Sequence, residues 1–134
     1  RPDVLQATDK VVNMFKELGP FINIDVPIVG TDNFDFMMEG VPNLVASHEE
    51  YNYALNYHAE SDTYDKVDIE QLKKNIVIVS ALALEYANDL SIKLNHQNRS
   101  EIETLIANTD LEDQMRAMMT VWDEWITGKR GRQK

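Results

Sequence analysis

The sequence predicts an α/β fold, rich in helices with a few strands. Three observations predict it. Two apolar runs, at 24–29 and 41–46, have the length and composition of buried strands. A long stretch after Asp68 carries apolar residues at helical spacing behind an N-cap signal. The last third of the chain repeats the helical pattern. At 134 residues, 43% hydrophobic and 27% charged, the chain has the size and composition of one globular domain with a real core.

The elements follow in order. Val4, Leu5, Val11, Val12, Phe15 and Leu18 recur at helical spacing, so a helix is expected from about Val4 to Leu18, stopped by Gly19-Pro20. Residues 21–29 alternate in part and read as a strand. Pro27 cannot donate to a ladder and places that part at an edge or strand end. Gly30-Thr31-Asp32-Asn33 is a turn, Phe34 to Glu39 a short helix ended by Gly40, and Val41 to Ser47 a second, buried strand. Residues 48–65 show no sustained periodicity, and an irregular stretch this long in a compact domain is usually functional.

Asp68 with Gln71 forms a capping box that opens a long helix, whose apolar face is Leu72, Ile76, Val79, Ala83, Tyr86, Ala87 and Leu90. Ser100 with Glu103 opens another helix. Thr109 or Asp110 starts a last one carrying Leu111, Met115, Met118, Trp122 and Trp125. Gly128 to Lys134 holds Lys129, Arg130, Arg132 and Lys134 and reads as a solvated tail, or one that docks on another part of a parent protein. Two strands alone make a poor sheet, so further strands are expected upstream. The opening Arg1-Pro2-Asp3, without an initiator Met, also predicts an excised fragment.

Composition excludes several classes. A net charge of -10 argues against nucleic acid, because phosphate binding needs clustered Lys and Arg. With no cysteine there is no disulfide, thiolate zinc site or cysteine nucleophile. No apolar run approaches the roughly 20 residues of a membrane span, and no signal-peptide pattern is present.

His58, in the acidic stretch Tyr57-His58-Ala59-Glu60-Ser61-Asp62-Thr63, is the candidate metal ligand, since zinc favours imidazole. A lone loop histidine is more often a plain surface residue. Asp62 is placed to orient an imidazole or to form a turn with its neighbours. Asp32 suits the mouth of a site, or the N-cap of the helix at 34–39. His48-Glu49-Glu50 has poor ligand spacing, because adjacent side chains diverge. His96 reads as structural or exposed at a helix end, and no serine stands in a G-x-S-x-G setting.

Taken together, several segments resemble the M28 family of zinc peptidases, in its carboxypeptidase Q-like and aminopeptidase branches. Gly30-Thr31-Asp32, then Phe36, then Glu39-Gly40-Val41-Pro42 are similar to one family pattern. Tyr57-His58 with Asp62-Thr63 and Asp65-Lys66-Val67-Asp68 resembles its histidine-ligand loop and the start of its last long helix. Trp122-Asp123-Glu124-Trp125 with Gly128 to Arg132 resembles tails of bacterial members. The likeness runs over about residues 5–94, with a weaker echo to the end.

The resemblance implies the C-terminal part of a phosphorylase/hydrolase-like three-layer fold. Residues 1–94 would belong to the peptidase α/β domain, and 95–134 to a helical extension with a basic tail. It implies two zinc ions in the intact enzyme, with His58 as the final histidine ligand and Asp32, Tyr57 and Asp62 on the substrate side or behind the ligands. A metal-activated water would attack a peptide carbonyl. The family's earlier His-x-Asp, bridging Asp, Glu-Glu and Asp are missing from the 31 residues before Asp32. This chain alone is therefore expected to bind no zinc pair and to be inactive. The missing part of its own domain is the expected partner, with a second copy also possible in view of the exposed edges. Export to the periplasm or medium is expected for the parent. The competing readings are a receptor-like, non-catalytic dimerisation domain and a glutaminyl-cyclase-like acyltransferase with one zinc.

Overall fold

The computed structural model describes residues 1–47 and 53–133, and every regular element among them is helical. The helices are α1 (Pro2–Val12), α2 (Asn33–Met38), α3 (Tyr53–Asn56), α4 (Ile69–Asn88), α5 (Arg99–Ala107), α6 (Leu111–Ala117) and α7 (Val121–Ile126). Short 3-10 stretches cover Asn13–Leu18 and Tyr64–Lys66.

The expected α/β architecture, and with it the three-layer peptidase fold, is thus corrected: no strand forms among the described residues. The reason is pairing. A strand persists when its backbone groups meet a neighbouring strand, and neither 21–28 nor 42–47 makes a backbone-to-backbone hydrogen bond among the described residues. Residues 21–28 run without bend or turn, with Ile22, Ile24 and Val26 exposed. Apolar alternation marked a segment able to form a strand, but no partner strand lies beside it.

The first helix ends earlier than its periodicity predicts. After Val12 the backbone tightens into the 3-10 stretch, and Phe15 leaves helical φ/ψ altogether. Val4 and Val11 are buried along α1, which packs on α4. Thr8 is buried with them. Its hydroxyl donates to the Val4 carbonyl at 2.8 Å and lies 2.8 Å from the Tyr86 hydroxyl of α4. At the far end Lys10 bridges Asp89 at 2.6 Å and also pairs with Glu85. The Lys10 hydrogen bond, helped by Ser91, holds the Asp89 carboxyl far below the ordinary carboxylate range.

α4 begins as predicted at Asp68, whose carboxylate accepts from the Gln71 amide at 2.9 Å. The box is half formed, because the Gln71 side chain bonds forward to Asn75. The expected burial of its apolar face is also corrected. No residue of α4 is fully buried, and Leu72, Ile76, Val79 and Leu84 lie exposed. With no sheet behind it, α1 is the element that packs along it, and that contact covers only the Tyr86 side.

The core lies elsewhere. Phe34, Met37 and Met38 of α2 meet Ile102 and Ile106 of α5, Leu111 and Met115 of α6, and Trp125 of α7. Asn98 starts α5, two residues before the predicted cap, in a complete box with Glu101. Glu103, the expected partner of Ser100, is instead taken by Arg99. The predicted single last helix breaks into α6 and α7 at Met118–Thr120, where Met119 adopts φ 50. That turn lets Met115 and Trp125 point into one cluster.

The reading of a solvated tail is corrected too. Residues 128–133 are strapped onto the core: the Arg132 amide donates to the Met38 carbonyl at 2.7 Å. Arg99 donates to the Arg132 and Trp125 carbonyls, and its guanidinium lies 3.2 Å over the Trp125 ring. Gly131, at φ 79, sits so close to Trp125 and the Met38 carbonyl that a Cβ there would clash.

Candidate functional site

The His58 loop is built from consecutive turns. The Tyr57 amide donates to Tyr53, Ala59 to Asn56, Asp62 to Ala59, and Lys66 to Thr63. These reversals put His58 at φ 55, in the left-handed region. A residue with a Cβ pays about 1–2 kcal/mol there, although His tolerates it better than most. The imidazole is exposed, and its ring touches Tyr57 with centroids 3.9 Å apart. Tyr57 in turn stacks on Tyr53 at 4.8 Å. The imidazole makes no hydrogen bond among the described residues.

Asp62 is exposed and does not hydrogen-bond His58. The neighbouring carboxylate that is engaged is Asp65. It accepts from Thr63 at 2.6 Å and pairs with Lys66 at 3.0 Å. The Thr63 hydroxyl first, then Lys66, hold its carboxyl below its ordinary value. Asp32 occupies the N-cap position of α2, but its backbone is already helical (φ -59, ψ -23) and its side chain makes no capping bond. The Phe34 amide is satisfied by the Thr31 carbonyl instead. His48-Glu49-Glu50 lies outside the described residues. His96 is exposed in the irregular link between α4 and α5, well past the end of α4 rather than at a helix terminus.

No group of three His, Cys, Asp or Glu side chains converges among the described residues. A zinc ion needs three or four convergent donors. One imidazole without them does not fit the ion, so no hydrolytic step follows from this chain's own residues.

A charged cleft of about 470 Å³ lies under the tail, lined by Asp35, Glu39, Glu124, Lys129, Arg130 and Gly131. Arg130 pairs with Glu124 at 2.8 Å and with Asp35. Glu124 and then Asp35 raise the guanidinium's pKa, while Arg130 lowers that of Glu124. Sequence reading missed this cluster because Arg130 and Asp35 lie 95 residues apart. The basic run at the end was the available signal. Arg130 ties Asp35 of α2 to Glu124 of α7, so this part of the cleft clamps the tail to the core.

Compared with protein-family models, with curated proteins and with solved structures, the chain matches none. No helix among the described residues is long and apolar enough to cross a membrane.

Proposed function

We propose that this chain is the C-terminal portion of a zinc-dependent exopeptidase and supplies His58 as one metal ligand. The remaining ligands would come from polypeptide outside these 134 residues. One observation carries the reading: an exposed histidine with no hydrogen bond among the described residues is held at φ 55 in the middle of the Tyr-His, Asp-Thr, Asp-Lys-Val-Asp pattern. Strained backbone at a chemically capable side chain is a pointer to function. In this reading Asp32 and Tyr57 serve the substrate side and Asp62 the surroundings of the ligand. Metal-activated water is the nucleophile of the intact enzyme.

The test uses a longer expressed protein that includes the upstream coding sequence. Its zinc content and its hydrolysis of dipeptides and amino-acid anilides are measured with and without His58→Ala. The expected result is loss of bound zinc and of most activity, with His58→Asn sparing the fold but not the metal. Full zinc and activity in His58→Ala overturns the proposal, as does parent-like hydrolysis by the 134-residue chain. A non-catalytic interaction module is the second reading, favoured by the uncovered apolar surface of α4. An upstream region lacking several ligand residues, and a protein without zinc, would select it.

A further inference from the structure

Asn98-Arg99-Ser100 has the form Asn-x-Ser, the acceptor pattern for N-linked sugar, and no other asparagine of the sequence stands two residues before Ser or Thr. So short a pattern recurs by chance, and its meaning depends on how the fold presents it. Gln97 and Arg99 are anchored to the protein. The Gln97 amide donates to the Gly40 carbonyl at 2.9 Å. The Arg99 side chain, 11% exposed, spans the Trp125 and Arg132 carbonyls. Asn98 and Ser100, alternating with them, are exposed. The two ends of the Asn98 amide have different fates. Its Oδ1 accepts from the Glu101 amide at 3.0 Å and caps α5. Only the oxygen can accept from an N–H, so Nδ2 is the atom left over. Neither Nδ2 nor the Ser100 hydroxyl, the second group the pattern requires, has a hydrogen-bond partner among the described residues.

We propose that Asn98 is an N-glycosylation site, whose Nδ2 takes an oligosaccharide from a polyprenyl-diphosphate carrier. The transfer forms a bond between Nδ2 and the anomeric carbon of the sugar. The bond from that carbon to the diphosphate oxygen breaks, its electrons leave on the diphosphate, and one Nδ2 proton passes to a base of the transferase. The site is used in a chain that enters a compartment where such a transferase works. The product suits the fold. The new linkage is a secondary amide, which keeps its carbonyl oxygen as an acceptor, so Oδ1 still caps α5 while the sugar leaves from the opposite end of the same group. A bulky, solubilising group of this kind belongs on exposed surface, and Asn98 lies there, clear of the α2, α5, α6 and α7 core. The inference does not depend on the role of His58.

The test translates the full chain, behind a signal peptide, in a cell-free system supplied with endoplasmic-reticulum microsomes. This reads modification on a gel whether or not each variant folds. The expected result is one upward mass shift, abolished by a glycan-releasing amidase that leaves an aspartate at position 98. Ser100→Thr keeps the shift. Ser100→Ala loses it by removing the hydroxyl, and Asn98→Asp loses it by replacing the acceptor nitrogen while keeping a capping oxygen. The glycosylated chain is then purified from a secreting host and melted beside its amidase-treated form. The two Tm values should agree, whereas Asn98→Ala, which has no cap, melts roughly 3–5 °C lower. An unshifted chain overturns the proposal, as does a shift that survives in Ser100→Ala or Asn98→Asp. A glycosylated chain that melts as low as Asn98→Ala equally rejects it, because the sugar would then have displaced the cap.

Discussion

Leu111→Ala and Leu84→Ala together test where the core lies. Leu111 is 0% exposed within the α2, α5, α6 and α7 cluster, whereas Leu84 on α4 is 67% exposed. Truncating a fully buried leucine forfeits transfer free energy and leaves a cavity, about 2–5 kcal/mol. Leu84 has about a third of its surface out of water. Scaling the roughly 1.5–3 kcal/mol of full burial gives about 0.5–1 kcal/mol, less a few tenths regained from alanine's helix propensity. The assay is urea unfolding followed by fluorescence of Trp122 and Trp125, with thermal melts beside it. At roughly 3–5 °C per kcal/mol for a chain of this size, Leu111→Ala should lower Tm by about 6 °C or more and Leu84→Ala by less than about 5 °C. A Leu84→Ala cost equal to that of Leu111→Ala would show α4 buried in solution and refute the helix-only packing described here.

Arg99→Lys keeps the charge but loses the planar fork that bonds two carbonyls and covers Trp125. It should cost about 1.5–3 kcal/mol and speed hydrogen exchange at the Arg132 amide, while a protected amide would show that the tail holds without Arg99. Gly40→Ala places a Cβ against the Gln97 backbone at φ 80, and a loss of more than about 2 kcal/mol is expected from chemical denaturation. The Lys10–Asp89 pair predicts an acid limb. Asp89 has a depressed folded pKa, so its contribution is present above its unfolded value near about pH 4 and is lost as pH falls through the folded one. The Tyr86 ring shifts should therefore report a loosened α1–α4 contact in strong acid, and Asp89→Asn should weaken that pH dependence.

Local signals were legible where a few neighbouring residues decide the outcome. Asp68 caps α4, Gly40 ends α2 at positive φ, and the helix at 34–39 forms nearly as read. Signals that depend on a partner were not. The 24–29 and 41–46 runs read as strands because their apolar composition and length suit buried strands, whereas a strand also needs a second strand to bond. The Ser100–Glu103 box lost to Asn98–Glu101 because Arg99 draws Glu103 away and Asn98 stands ready two residues earlier. His58 was visible as a candidate, but its left-handed backbone and its Tyr57 contact come from the turn sequence around it.

By itself the sequence determined the acidic, cysteine-free character of this chain, its helix-prone stretches, and the ordered pattern that singles out His58. These are properties of residues and near neighbours, and they hold whatever the chain packs against. Only the tertiary structure decided which apolar faces meet. It put the core at Met38, Ile102, Leu111, Met115 and Trp125, left most of the apolar face of α4 exposed, and turned a basic tail into a strap through Arg99 and Arg130. Burial and ion pairing are set by groups up to 95 residues apart, and no local periodicity records which of them will find each other.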